Sequence, residues 1–252
     1  MQNPRSILIT GASSGIGRAL AVEYAAPGIT LHLCGRDEPR LAQTASACRA
    51  KGAQVREAIV DVRDEAAMKD WMESAHAVMP LDLVIANAGV SLGYDREYDL
   101  ARHMADTFAV NVTGVFNTVH PAILCMAARG GQIAIISSLA GFHGLPSSPG
   151  YSTSKNAVKA YGEALRGLLW KEGIRVSVVC PGFVESPMTA RNGFPMPFLM
   201  SAPKCAKIIR KGLEKNKARI AFPWPMLAAV RLMDLLPEAV VDWILRRAPA
   251  KR

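Results

Sequence analysis

Acidic residues, aromatics, paired cysteines and long apolar runs are all scarce in this chain. No run reads as the roughly 20 strictly apolar, uncharged residues that cross a bilayer as a helix, so a membrane-spanning role is not expected. The start, Met1-Gln2-Asn3-Pro4-Arg5, leads directly into a strand and lacks a signal peptide's apolar region. The five cysteines (34, 48, 125, 180 and 205) are odd in number and form no CxxC. That argues against a disulfide framework or a zinc site; reduced, mostly buried thiols, no metal and a cytoplasmic location are the expectation. Aromatics make up only 6% of the chain, and Lys+Arg outnumber Asp+Glu by 30 to 21, for a net charge of +9. Such a charge attracts anions in general. With few aromatics and no binding motif it does not read as a nucleic-acid module. Lys204, Lys207, Lys211 and Lys215 fall at helical spacing and read as a solvated helix face.

What the chain does have is apolar content, half of its 252 residues, cut into short runs by glycines. Ser6–Thr10 is a β-rich run. The glycine turn Gly11-Ala12-Ser13-Ser14-Gly15-Ile16-Gly17 and a helical stretch, Arg18–Ala26, follow it. Strand, glycine turn and helix in that order set backbone N–H groups and a helix N-terminus against a pyrophosphate. The spacing is GxxxGxG. Gly11 allows the turn, Gly15 the approach of the cofactor and Gly17 close helix–strand packing.

A second strand, Ile29–Cys34, ends at Gly35-Arg36-Asp37. An NAD site usually has an acid here for the ribose hydroxyls. Arg36 suits a 2′-phosphate instead, which favours NADP over NAD. Asp37 is also placed to cap a helix over 38–50. The third strand, Gln54–Val60, closes with Asp61-Val62, where Asp61 could accept from an adenine amino group or cap a helix over 64–77. The fourth strand, Leu81–Ala86, runs into Asn87-Ala88-Gly89, small enough for backbone to lie against a cofactor. A helix over about 97–128 carries Asn111 in its interior, where a buried polar role, a cap or a kink is open. Strand five is Gln132–Ser137 and strand six Ile174–Cys180, followed by Pro181-Gly182. Residues 183–203 read as an apolar loop, a lid or a packed connection. A helix over 203–217 and a last strand, Ala218–Phe222, complete the alternation. The fold class is therefore α/β, a Rossmann-type doubly wound parallel sheet of about seven strands with helices on both faces. Residues 1–222 form the dinucleotide-binding domain with the catalytic site. Residues 223–252 are a helical C-terminal extension of that same domain.

The chemistry centres on Ser138, at the carboxyl end of strand five, and on Tyr151 and Lys155. If Tyr151 opens a helix, Lys155 shares its face. A nearby ammonium favours the phenolate, so the pair could exchange a proton near neutral pH. A hydroxyl that polarises a carbonyl, a phenol that supplies a proton and a lysine that tunes the phenol would reduce a carbonyl group.

With these motifs in this order the chain resembles the short-chain dehydrogenase/reductase family over about residues 5–222. Thr10-Gly11-Ala12-Ser13-Ser14-Gly15-Ile16-Gly17 looks like its TGxxxGxG motif, and Ala86-Asn87-Ala88-Gly89 is similar to its NNAG. Asn111-Val112-Thr113-Gly114, Ser138, Tyr151/Lys155 and Pro181-Gly182 match its remaining landmarks. The resemblance implies a nicotinamide dinucleotide with its nicotinamide beside Tyr151. Tyr151 would be the acid/base, and Ser138 would hold the substrate oxygen. Lys155 would bind the nicotinamide ribose, and Asn111 would support a water-linked relay to it. The cofactor contacts would run through Gly11, Ser13, Ser14, Gly15, Ile16, Gly17, Arg36, Asp61, Val62, Asn87, Ala88, Gly89, Tyr151, Lys155, Pro181, Gly182 and Val184. The implied activity is NADP(H)-dependent interconversion of an apolar ketone or aldehyde and its alcohol, in a homodimer or larger homo-oligomer. A catalytically idle NADP-binding regulator of the same fold is the alternative. Ala86, where the family has Asn, predicts a looser turn after strand four. The end, Phe222-Pro223-Trp224-Pro225, differs from the glycine-rich last strand of the family's ketoacyl-carrier-protein reductases, and argues against that role. In Met226–Arg247 the charges 231, 234, 238 and 242 share one helical face, and Pro237 divides two short helices. This apolar tail reads as surplus to the core. It suits packing on its own subunit or a partner, an apolar substrate, or a lipid surface with Arg246, Arg247, Lys251 and Arg252 near anionic headgroups.

Overall fold

The computed structural model describes residues 3–92 and 99–247. Seven strands form one sheet: β1 (Ser6–Thr10), β2 (Thr30–Gly35), β3 (Gln54–Ile59), β4 (Leu83–Ala86), β5 (Gly131–Ile136), β6 (Ile174–Pro181) and β7 (Arg219–Phe222). All pairings are parallel, in the order β3-β2-β1-β4-β5-β6-β7. β1, β2, β4 and β5 are buried at every position, as central parallel strands covered on both faces must be. The order reverses between β1 and β4, and a crevice opens there at the strands' carboxyl ends.

Helices α1 (Gly15–Tyr24), α2 (Glu38–Arg49), α3 (Glu65–Val78), α4 (Leu100–Phe108), α5 (Gly114–Met126), α6 (Pro149–Leu168), α7 (Ala202–Glu214), α8 (Trp224–Met233) and α9 (Glu238–Leu245) lie between and after the strands. On one face Leu20, Leu41 and Ile209 from α1, α2 and α7 pack against Ile7, Ile9 and Leu33. On the other, Met68, Met72, Val119 and Leu165 pack against Leu8, Val84 and Ile133. Asp37 and Asp64 cap α2 and α3 by accepting from Arg40 N–H and Ala67 N–H, each at 3.0 Å. The α3 cap is thus Asp64, and Asp61 is left for other work. All five cysteines are free, and four are buried.

Two sequence expectations change. The helix foreseen over 97–128 is α4 and α5 joined by one wide turn, Ala109–Thr113, whose hydrogen bonds skip an extra residue; residues 97 and 98 lie outside the described residues. Gly114 fixes the position of that turn, because a Cβ there would lie 2.5 Å from Val62 Cγ2. The chain is uncharged from Thr107 to Ala128, and Leu100–Met126 is, by length and composition, the one stretch among the described residues apolar enough to cross a membrane. Half of its most apolar window is buried inside the fold. The second change concerns the tail. α8 is not surplus: Met226, Leu227 and Val230 pack on Leu139, Phe142 and Ala221, closing the β6–β7 edge of the core. Pro237 does divide α8 from α9. Trp224, Leu232 and Leu235, at 77%, 59% and 80% exposure, form an outward stripe on and just past α8. Lys251 and Arg252 lie outside the described residues.

Candidate active site

The β1–α1 turn makes the floor of the crevice. Gly11 and Gly15 take φ of +67° and +53°, which residues with a Cβ rarely adopt. Gly17 has an ordinary backbone but no room: a Cβ there would lie 2.3 Å from Gly11 O and 2.5 Å from Asn87 Nδ2. Asn87 staples β4 to β1. Its Nδ2 donates to Thr10 O (2.9 Å) and Gly11 O (3.2 Å), while Thr10 Oγ1 accepts from the N–H groups of Asn87 and Ala88, each at 3.1 Å. The looser turn expected from Ala86 is therefore not what forms. Ala86 is buried in the sheet, and the residue after it ties the strand ends together.

One cavity of about 310 Å³ extends from this loop to Tyr151. All the residues named above as cofactor contacts line it except Gly17, which packs behind the loop. At one end, beside the ends of β2 and β3, stand Arg36, Asp37, Arg40, Asp61 and Val62. Asp37 is committed: besides capping α2, it accepts from Arg40 Nε at 2.8 Å and pairs with Arg40 Nη2 at 2.6 Å. These contacts hold its carboxyl below the usual aspartate range. Asp61 is gripped by Arg63, with Nη2 at 2.6 Å, and lies 3.6 Å from Arg36 Nη1. Arg63, then its backbone N–H and Arg36, hold the Asp61 carboxyl low despite the opposing effect of burial. Arg40 was not foreseen. Its position one helical turn after Asp37 was the signal for that ion pair.

At the other end Ser138, Tyr151 and Lys155 meet. Ser138 begins a short turn, accepting from Ala140 N–H (3.1 Å) and lying 3.4 Å from Pro181 O. Its hydroxyl stands beside the Tyr151 phenol. Burial raises that phenol above the ordinary tyrosine value, and the neighbouring Ser138 hydroxyl draws it part of the way back. The lowering expected from Lys155 is not what sets this phenol. Lys155 Nζ sits 5.8 Å from the Tyr151 ring centre and donates to Ile136 O at 2.9 Å. The lysine is itself drawn down to about 8 by burial. Asn111, wholly buried, ties the wide turn to the β4 loop: its Oδ1 accepts from Val90 N–H (2.8 Å), and its Nδ2 donates to Val90 O (2.9 Å) and Ser154 Oγ (3.0 Å). A Cβ on Gly89 would lie 3.2 Å from both Asn111 Oδ1 and Lys155 Nζ, so the two side chains face each other across that glycine.

The connection after β6 is pinned at both ends, since Val184 and Met200 are buried and bridge to one another. Its middle stands away from the core, with Phe198 and Leu199 exposed and Phe183 edge-on to Phe194 at 6.0 Å. Ser186, Pro187, Met188 and Thr189 line the cavity, a contribution that sequence reasoning did not assign residue by residue. Of the loop at 91–96 that follows β4, residues 93–96 lie outside the described residues.

A switch-point crevice floored by a glycine loop, with a phenol and a lysine at one end, defines a dinucleotide-dependent oxidoreductase. The short chain dehydrogenase family model matches residues 5–194, and the chain belongs to the short-chain dehydrogenase/reductase family. It is 37% identical over 248 residues to an uncharacterized oxidoreductase of Myxococcus xanthus, covering 96% of this chain and 97% of that one. Ketoacyl reductase HetN of a Nostoc species is 32% identical, with 81% and 70% covered. Among solved structures, a short chain dehydrogenase/reductase from Burkholderia phymatum in complex with NAD superposes with a TM-score of 0.84. It is 28% identical and covers 100% of this chain and 99% of that one. The protein is thus an oxidoreductase of the CH–OH/C=O class that uses a nicotinamide dinucleotide.

Proposed function

We propose that the protein reduces an apolar ketone or aldehyde, or oxidises the matching alcohol, with NADP(H) and with Tyr151 as acid/base. The observation that carries this reading is the convergence of Ser138, Tyr151 and Lys155 at one end of the cavity that begins at the Gly11–Gly17 loop. The dinucleotide would lie along Gly11–Gly17, Asn87–Gly89 and Pro181-Gly182, and when bound it supplies or accepts the hydride. Ser138 holds the carbonyl oxygen, and Tyr151 gives that oxygen its proton, a contribution worth about 100- to 10,000-fold in rate. Lys155 would steady the phenolate that remains, and Asn111, whose side chain faces Lys155 across Gly89, would support a water-linked relay to it.

NADP rather than NAD is favoured by the engagement of Asp37 with Arg40, which occupies the acid that would hold ribose hydroxyls and leaves Arg36, half-exposed beside Asp61, as the cation available to a 2′-phosphate. The solved relative from Burkholderia phymatum holds NAD, so the reading rests on this chain's own residues. An apolar substrate is supported by Met188, which lines the cavity, and by Met226, which lies against Gly182 at its wall. The similarity to a ketoacyl reductase suits a 3-oxoacyl compound, against the expectation drawn from the chain's end. The outward stripe of α8 is read as a contact with a second subunit rather than with lipid. A panel of ketones and 3-oxoesters, followed by loss of NADPH absorbance in wild type and Tyr151→Phe, tests the reading. Equal activity in the two proteins would remove Tyr151 from the chemistry.

A further inference from the structure

The segment between Ser138 and Tyr151 is held from outside by the C-terminal tail. His143 Nε2 lies 2.9 Å from Val230 O and 3.3 Å from Asp234 Oδ1. Both partners are acceptors, so Nε2 carries the proton and donates. Val230 lies in the last turn of α8, where helix carbonyls run short of partners. Beside it the Phe142 ring is ringed by three cations, Arg231 at 5.2 Å, Lys159 at 5.4 Å and Arg219 at 5.7 Å. The same helix touches the opposite wall: a Cβ on Gly182 would lie 2.9 Å from Pro223 Cδ and 3.0 Å from Met226 Sδ. Ser138 stands between these two contacts, bonded to Ala140 N–H in the loop and facing Pro181 O in the strand end.

We propose that α8 is a brace for the reacting end, and that His143 and Phe142 are positioning residues that hold the Ser138 hydroxyl against the Tyr151 phenol. Both walls that flank Ser138 end on this one helix, and the His143 and Phe142 contacts touch only the loop wall, away from Gly182. Losing the loop contacts should disturb the approach of Ser138 to Tyr151 and leave the Gly182 wall, and with it dinucleotide affinity, in place. The consequence for turnover rests on the roles proposed for Ser138 and Tyr151; the approach of the two hydroxyls can be read without turnover.

The test uses the full chain labelled with 13Cζ-tyrosine at pH 7. The resonance of Tyr151 is assigned by its disappearance in Tyr151→Phe, and its shift reports hydrogen bonding of the phenol. His143→Ala should move the resonance in the direction that Ser138→Ala moves it. The double variant should add nothing further, and His143→Gln, which keeps an N–H donor, should restore most of the wild-type shift. NADPH affinity by fluorescence should stay within about twofold in the two His143 variants, and Leu235→Ala, on the outward face, should change neither reading. A resonance left in place by His143→Ala but moved by Ser138→Ala would overturn the brace. So would a resonance that neither substitution moves, or a loss of NADPH affinity well beyond twofold in His143→Ala. If His143→Ala melts too low to measure, Phe142→Leu keeps apolar volume, removes the ring from its three cations and makes the same test. Activity persisting in Tyr151→Phe would defeat the catalytic reading and leave this result standing.

Discussion

Replacing Arg36 with Ala should weaken NADPH about tenfold and leave NADH within about twofold. A charge-assisted hydrogen bond to a phosphate contributes about 1.5–3 kcal/mol. Arg36 is half-exposed, 56% by side chain, so solvent screening favours the low end. About 1.4 kcal/mol is one decade in affinity. The neighbouring acid matters as much as the arginine. Asp37 would be the residue to hold ribose hydroxyls in an NAD site, yet its carboxylate is occupied by Arg40 and by the start of α2. Arg40→Ala should therefore act twice, removing a cation that favours NADPH and releasing an acid that favours NADH. Fluorescence titration of both cofactors against wild type and each variant measures this directly. Salt supplies a second axis, since the screening length falls from about 10 Å at 0.1 M to about 3 Å at 1 M, and the preference for NADPH should shrink with it. A wild type that prefers NADH would refute the reasoning, as would an Arg36→Ala variant that loses both cofactors equally.

Tyr151→Phe should lower turnover by at least about 100-fold while NADPH still binds, measured by single-substrate kinetics and fluorescence. Gly17→Ala has no side chain to yield, because its Cβ would meet the Gly11 carbonyl; chemical denaturation should show a loss of about 1–3 kcal/mol, with cofactor binding impaired. Lys155, drawn down to about 8 in the fold, binds fewer protons there than in the unfolded chain between about pH 8 and about 10.4, so its contribution to stability rises with pH across that window. Denaturation of wild type and Lys155→Met at pH 7.5 and 10 should show the wild type gaining up to about 3 kcal/mol on the variant, and a constant difference would count against the shift. Trp224→Ser with Leu235→Ser should convert an oligomer to a smaller species in light scattering; co-sedimentation of wild type with anionic liposomes would instead assign that stripe to lipid.

What was legible in the sequence was what the local backbone dictates. Gly11, Gly15 and Gly17 announce a turn that other residues cannot make, and Tyr151 and Lys155 share a face of α6, which begins at Pro149, two residues before the expected start. The apolar runs gave the strands to within a residue or two, since a buried parallel strand leaves little room for polar side chains. What stayed hidden depends on partners distant in sequence. Nothing near Asn111 says that its amide will pair with Val90 and widen a helix turn. The tail looked surplus because its inner residues, Met226, Leu227 and Val230, find their surface only after β6, β7 and the loop at Phe142 come together. Lys155 was expected to govern the Tyr151 phenol. Burial of both groups, which spacing does not reveal, outweighs that effect.

The reversal of strand order between β1 and β4 divides the work of the crevice between separate lengths of chain. Residues 11–62 line one end of it, and residues 136–189 line the other. Asn87–Val90 and Asn111 join them. Such a division lets the two halves vary independently over descent. On the reading proposed above, a change at Arg36 or Arg40 retunes the electron carrier without altering the shape offered to the compound being reduced. On the same reading, a change at Met188 admits a new compound while the carrier stays the same. The chain is in that respect two inheritable modules on one sheet, and exchanging segments between relatives at the β4 boundary is the natural way to recombine them.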